Sequence, residues 1–219
     1  MKSITAQKPL EELLENLGTA SKVFIVGCGT CPTLIGTGGI DQVADLAVSL
    51  KAAGKRVTGT IVLPVACEPL PFDARLEFLA GTEKADAVLV MSCAYGVRQV
   101  ADIVSGPTLP ALNTLFIGRE EGPGVFVEEC SQCGDCVLAL TGGICPITRC
   151  AKSLFNGPCG GSVGGKCEVD PKIPCGWQMI YDRLKELGRV EQMEVIIPIR
   201  DWSKGWSGGP RRYSMNEKK

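Results

Sequence analysis

Apolar and polar residues alternate between two periods along the first half of the chain. Residues 9–17 place Leu10, Leu13, Leu14 and Leu17 on one face, the spacing of a short amphipathic helix. Residues 22–27 form a continuous apolar run ending in glycine, as a buried strand does. Residues 40–53 carry Val43, Leu46, Ala47 and Leu50 on one stripe and stop at Gly54, which predicts a helix. The same reading gives a second strand at 56–63, a helix with a proline start at 71–80 and a third strand at 85–91. A helix at 95–104 and a fourth strand at 111–117 complete the series. Strands alternating with helices predict an α/β domain with a parallel sheet, Rossmann-like or flavodoxin-like, over residues 1–120.

Beyond residue 120 the periodicity fades. Thr141-Gly142-Gly143, Asn156-Gly157-Pro158, Gly160-Gly161 and Gly164-Gly165 punctuate a segment with little apolar side chain to bury. One helical pattern returns at 178–187, with Met179, Ile180, Leu184 and Leu187 on a face and Gly188 as its stop. Residues 194–199 read as a final strand that packs in a core. The expectation is a second, irregular, Cys-rich metal-cluster domain over residues 121–219, with a helix and a basic tail. In that tail stand Trp202, Trp206, Arg211 and Arg212; its tryptophans either bury against the protein or dock a partner.

The chain has 219 residues, 12 cysteines and no histidine. Eight of the cysteines fall in the second domain: Cys130, Cys133, Cys136, Cys145, Cys150, Cys159, Cys167 and Cys175. A disulfide framework is one explanation, but residues 1–17 carry no apolar stretch resembling a secretory signal, and the chain is long enough to build a core without staples. The expectation is an intracellular, reducing compartment, the cytoplasm. Buried packing thiols explain one or two cysteines but not three at the spacing C-x2-C-x2-C, Cys130 to Cys136. Two-residue gaps let one loop wrap several irons of a cuboidal cluster while a distant cysteine closes it. A zinc ribbon would show two separated C-x2-C pairs. Eight thiols suffice for two [4Fe–4S] clusters, although a single cluster with spare thiols and zinc in one site stay open.

The other four cysteines follow predicted strands. Cys28 and Cys31 follow the first, Cys67 the second and Cys93 the third. In a parallel sheet these positions emerge at the carboxyl edge, where open α/β sheets bind ligands. A four-cysteine site there suits a third [4Fe–4S] cluster or zinc. A nucleotide-binding turn fits less well, because Gly27 and Gly29 match G-x-G-x-x-G but Pro32 stands at its third glycine.

With 23 basic and 24 acidic side chains, the chain lacks the basic excess of a nucleic-acid binder. No apolar run approaches the roughly 20 residues of a membrane span. Without histidine, and without a G-x-S-x-G or Walker-type loop, no catalytic residue is assigned and an electron carrier is expected instead.

The blocks "TGGICP", "NGPCGG", "GKCEV" and the closing "CGWQMIYDRL" carry a resemblance. The stretch from Cys130 to Leu187 resembles the methylenetetrahydrofolate reductase C-terminal domain family. The "VGCGTC" segment near Cys28 is similar to the small iron–sulfur subunit of bacterial methylenetetrahydrofolate reductases. The resemblance implies a flavin-containing catalytic subunit as partner, with clusters in this chain passing electrons to or from that flavin. Further electron-carrier subunits or a ferredoxin stay open as additional partners. One departure is Ala151 after Cys150, where relatives are expected to carry proline; the sulfur is retained. Two other classes compete: a structural zinc scaffold that docks the flavoprotein, and an independent flavin or corrinoid reductase.

Overall fold

The computed structural model describes residues 2–205 and Arg211. It divides into two compact units, 1–126 and 127–219. Among the described residues no helix is long and apolar enough to cross a membrane.

The first unit is α/β. Its parallel sheet has the order β3-β2-β4-β5, where β2 is Lys22–Cys28, β3 Arg56–Leu63, β4 Ala87–Met91 and β5 Thr108–Pro110. Side-chain alternation on β2 and β4 sorts the core into two layers. Val23, Ile25, Ala87, Leu89 and Met91 face α1 (Leu10–Leu17) and α3 (Ile40–Ala52) through Leu13, Leu17, Val43, Ala47 and Leu50. Phe24, Val26, Cys28, Val88 and Val90 face the opposite way, toward Phe78 of α4 (Phe72–Thr82) and Val100 of α5 (Ala94–Ala101). Both faces of the sheet are covered, which is why these strands read as unbroken apolar runs.

The expected fourth strand at 111–117 is corrected. The parallel sheet is completed one step earlier, by the three-residue β5, whose Pro110 is tolerated because this is the edge strand. The chain then enters β6 (Leu112–Gly122), which lies between β1 (Lys2–Gln7) and β7 (Val125–Glu128) in a separate three-stranded sheet. β1 pairs antiparallel with β6, from Lys2 opposite Gly118 to Gln7 opposite Leu112. The expected division after residue 120 therefore falls inside β6, and the unit ends at Phe126.

A carboxylate ties strand to loop on the amino side of the sheet. Asp86 accepts hydrogen bonds from the Lys22 N–H (2.8 Å), the Ser21 N–H (2.9 Å) and the Ser21 hydroxyl (3.0 Å). The Lys22 amide, then the two Ser21 donors, hold its carboxyl below the usual carboxylate range. A depressed folded pKa gives stability that is complete above the unfolded value, about 3.9, and is lost as pH falls through the folded one. Asp86→Asn is expected to lower the unfolding midpoint at neutral pH. The gap to wild type should close in acid, as read by thermal unfolding over a pH series; a gap independent of pH would contradict this account.

Among the described residues the second unit is mostly loop, with α6 (Pro146–Arg149), α7 (Gly176–Glu186) and two 3₁₀ turns at Val190–Glu194 and Trp202–Lys204. The strand expected at 194–199 is not formed; residues 195–200 have no regular structure. Pro198 lacks an N–H for a ladder, and the amide side chain of Asn156 instead holds the backbone N–H and carbonyl of Ile197 at 2.8 and 2.9 Å. Among the described residues the unit's hydrophobic core cluster is small: Trp177, Ile180 and Leu184 from α7, with Ile144, Cys150, Leu154, Cys175 and Met193 against it.

Candidate metal-binding sites

All twelve cysteines are free thiols. In the first unit, three of them mark the carboxyl ends of three adjacent strands. Cys28 is the last residue of β2, Cys67 sits in the turn after β3, and Cys93 directly precedes α5 after β4. Gly27 pairs with Met91 and Cys28 with Leu63, so the strand ends are level. β2 and β4 are neighbours whose connections leave in opposite directions, the crevice position where such sheets bind ligands. Cys31 opens the short helix α2 (Cys31–Leu34). Cys28 and Cys93 are buried, Cys31 is half-buried and Cys67 exposed.

These thiols share an electrostatic field. Although Cys67 is exposed, partial burial of its sulfur raises its pKa, and negative charge on Cys93 and on Cys28 raises it further. A bound cation would relieve that mutual repulsion. The Cys28 thiol shares a 3.2 Å hydrogen bond with the Thr30 hydroxyl. Gly38 lies against the same strand ends. The Gly38 carbonyl accepts from the Cys28 N–H at 3.0 Å, and a Cβ on Gly38 would stand 2.2 Å from the Met91 oxygen. Glycine is required there because one backbone lies directly on another.

In the second unit the cysteines lie on loops. Cys130, Cys133 and Cys136 share one loop, in which Gln132 has φ 56° and Gly134 φ 81°. Cys145 precedes α6, Cys150 follows it, and Cys175 precedes α7. Cys159 and Cys167 occupy the glycine-rich segment between. Cys133 is buried; Cys130, Cys136 and Cys159 are exposed; Cys145, Cys150, Cys167 and Cys175 are half-buried.

Several sulfurs already receive N–H donors. The Gln132 amide donates to Cys130 Sγ at 3.3 Å, and the Gly161 amide to Cys159 Sγ at 3.4 Å, the same two-residue step in both loops. Burial opposes ionisation of Cys175, but the Gln178 amide, the Ser162 hydroxyl and the Trp177 amide together hold its thiol below the ordinary range. Arg200, which the sequence reading did not single out, donates from Nη2 to Cys133 Sγ at 2.9 Å and to the Asp135 carbonyl. It lies 67 residues from Cys133, so no local motif could have revealed it.

Among the described residues, no three Cys, Asp or Glu side chains are gathered tightly enough to hold a metal ion as they stand. The fit therefore rests on donor chemistry and on unsatisfied groups. The donors are soft thiols with no competing imidazole, a set that suits iron–sulfur clusters or zinc. Five buried side-chain polar atoms among the described residues lack a hydrogen-bond partner, and four of them belong to residues next to cysteines. They are Ser92 Oγ beside Cys93, Ser131 Oγ between Cys130 and Cys133, and Arg200 Nε and Nη1; the fifth is Gln192 Oε1. Buried polar groups are almost always partnered, so this grouping at cysteines fits sites that carry a polar or charged centre.

Residues 109–203 match the family model described as Methylene-tetrahydrofolate reductase C terminal. That segment runs from β5 through β6 and β7 and across most of the second unit, including all eight of its cysteines. No curated protein and no solved structure matches the chain.

Proposed function

We propose that this chain is an iron–sulfur electron-transfer subunit of a methylenetetrahydrofolate reductase, relaying electrons to or from a flavin in a separate catalytic subunit. The observation that carries the reading is the crowding of unsatisfied buried polar groups at cysteines, in a segment that matches the reductase C-terminal family. In the second unit Cys130, Cys133 and Cys136 would hold one cluster with a more distant cysteine. Cys145, Cys150, Cys159, Cys167 and Cys175 would complete that set and a second one. In the first unit Cys28, Cys31, Cys67 and Cys93 would hold a third [4Fe–4S] cluster or a zinc ion.

Such clusters supply one-electron chemistry at potentials set by charge, hydrogen bonds to sulfur and exposure. The chain's own residues set those conditions. The amides of Gln132 and Gly161 and the guanidinium of Arg200 donate hydrogen bonds to sulfur. The two-layered sheet of the first unit fixes the strand ends that carry Cys28, Cys67 and Cys93. The exposed Cys130, Cys136 and Cys159 bring part of the second set to the surface, where electrons can cross to a partner.

The test mixes the anaerobically purified, dithionite-reduced chain with an oxidised flavin-containing methylenetetrahydrofolate reductase subunit. The flavin absorbance is expected to bleach as the chain's broad visible absorbance returns. A chain that holds zinc alone and leaves the flavin oxidised would make it a structural docking subunit instead.

A further inference from the structure

Arg200, Lys204 and Arg211 bring cations to the Cys130–Cys136 loop. Arg200 reaches Cys133 Sγ and the Asp135 carbonyl. Lys204 Nζ stands 3.5 Å from the Asp135 carboxylate, and Arg211 donates to the Gln132 carbonyl at 3.0 Å. The three cations are not equivalent. Lys204 and Asp135 are both about half exposed, a setting in which an ion pair contributes little. Arg211 is exposed and donates to the carbonyls of Gln132 and Lys204. Among the described residues, Arg200 is the one of the three that touches a thiol. Its guanidinium lies 5.2 Å from the ring centroids of both Phe155 and Trp202, so aromatic surface packs against it and fixes its position. Its Nε and Nη1 are buried donors without partners.

We propose that Arg200 is a positioning residue that raises the reduction potential of the cluster held by Cys133, an inference that rests on the iron–sulfur reading above. Reduction adds one electron to the cluster, delivered by a one-electron donor, and leaves it one unit more negative. A fixed cation at a ligating sulfur therefore stabilises the reduced form more than the oxidised form. The half-buried setting strengthens the effect, because the interaction is screened less than it would be in water.

The test is a dithionite titration with mediators, followed by electron paramagnetic resonance, on the full chain purified without oxygen, with iron counted on the same samples. Arg200→Gln is expected to keep its iron and to shift one cluster so that about tenfold less of it is reduced at a fixed potential, equivalent to about 59 mV for a one-electron couple. Arg200→Lys keeps the charge and should shift it less. Wild-type iron with unchanged potentials in Arg200→Gln would overturn the proposal and leave the iron–sulfur reading standing. Loss of iron from both Arg200→Gln and Arg200→Met would overturn it too, by making Arg200 a structural tie. A wild-type chain without iron would remove the proposal together with the reading beneath it.

Discussion

Replacing Cys133 with alanine is expected to leave the chain about four irons short and to unfold most of the second unit. The iron follows from the loss of one ligand of a four-thiolate set. The unfolding follows from how little else holds this unit. Among the described residues its hydrophobic core cluster is three buried side chains of one helix, Trp177, Ile180 and Leu184, and the loops around them carry few regular elements. With so thin a core, metal binding would supply a large part of the folding free energy. The substitution also takes a sulfur acceptor from Arg200, at a cost of about 1–3 kcal/mol for a buried donor. Iron assay with limited proteolysis checks this: cleavage should spread beyond Val127 while the first unit resists. Wild-type iron in this variant would contradict the ligand assignment.

Cys67→Ala should behave differently. The first unit has a core layer on each face of its sheet, and Cys67 lies in an exposed turn. Its fold is therefore expected to hold, with stability of the metal-free form within about 0.5 kcal/mol of wild type. The metal of the first unit should be lost, about four irons if it is a [4Fe–4S] cluster, and the second unit should stay loaded. Unchanged metal content would return Cys28 and Cys93 to the role of small packing residues and leave Cys67 an exposed thiol.

The contrast between the units mirrors what could be read from sequence. β2, β4 and α3 were legible because strands covered on both faces, and a helix with one buried stripe, write their environment directly into the chain. The placement of Cys28, Cys67 and Cys93 after neighbouring strands was legible for the same reason: parallel strands share a direction, so residues after them share an edge. β1 was hidden, because only its Ile4 and Thr5 are buried. β6 was read in part, as the strand at 111–117; its end, which carries Arg119, Glu120 and Glu121, was not. The strand assigned to 111–117 joined the wrong sheet because β5 is only three residues long and contains a proline. In the second unit, cysteine spacing pointed to metal, but loops with few elements give no phase from which to group eight thiols. Arg200 was invisible because its partner is remote in sequence.

The proposed function requires that sulfur in this chain hold iron. The direct measurement is iron and acid-labile sulfide in the wild-type protein purified without oxygen, with zinc counted on the same sample. The account expects about four to twelve irons per chain, with matching sulfide, depending on how many four-thiolate sites are filled. A colourless protein that carries zinc alone, or neither metal, would contradict it.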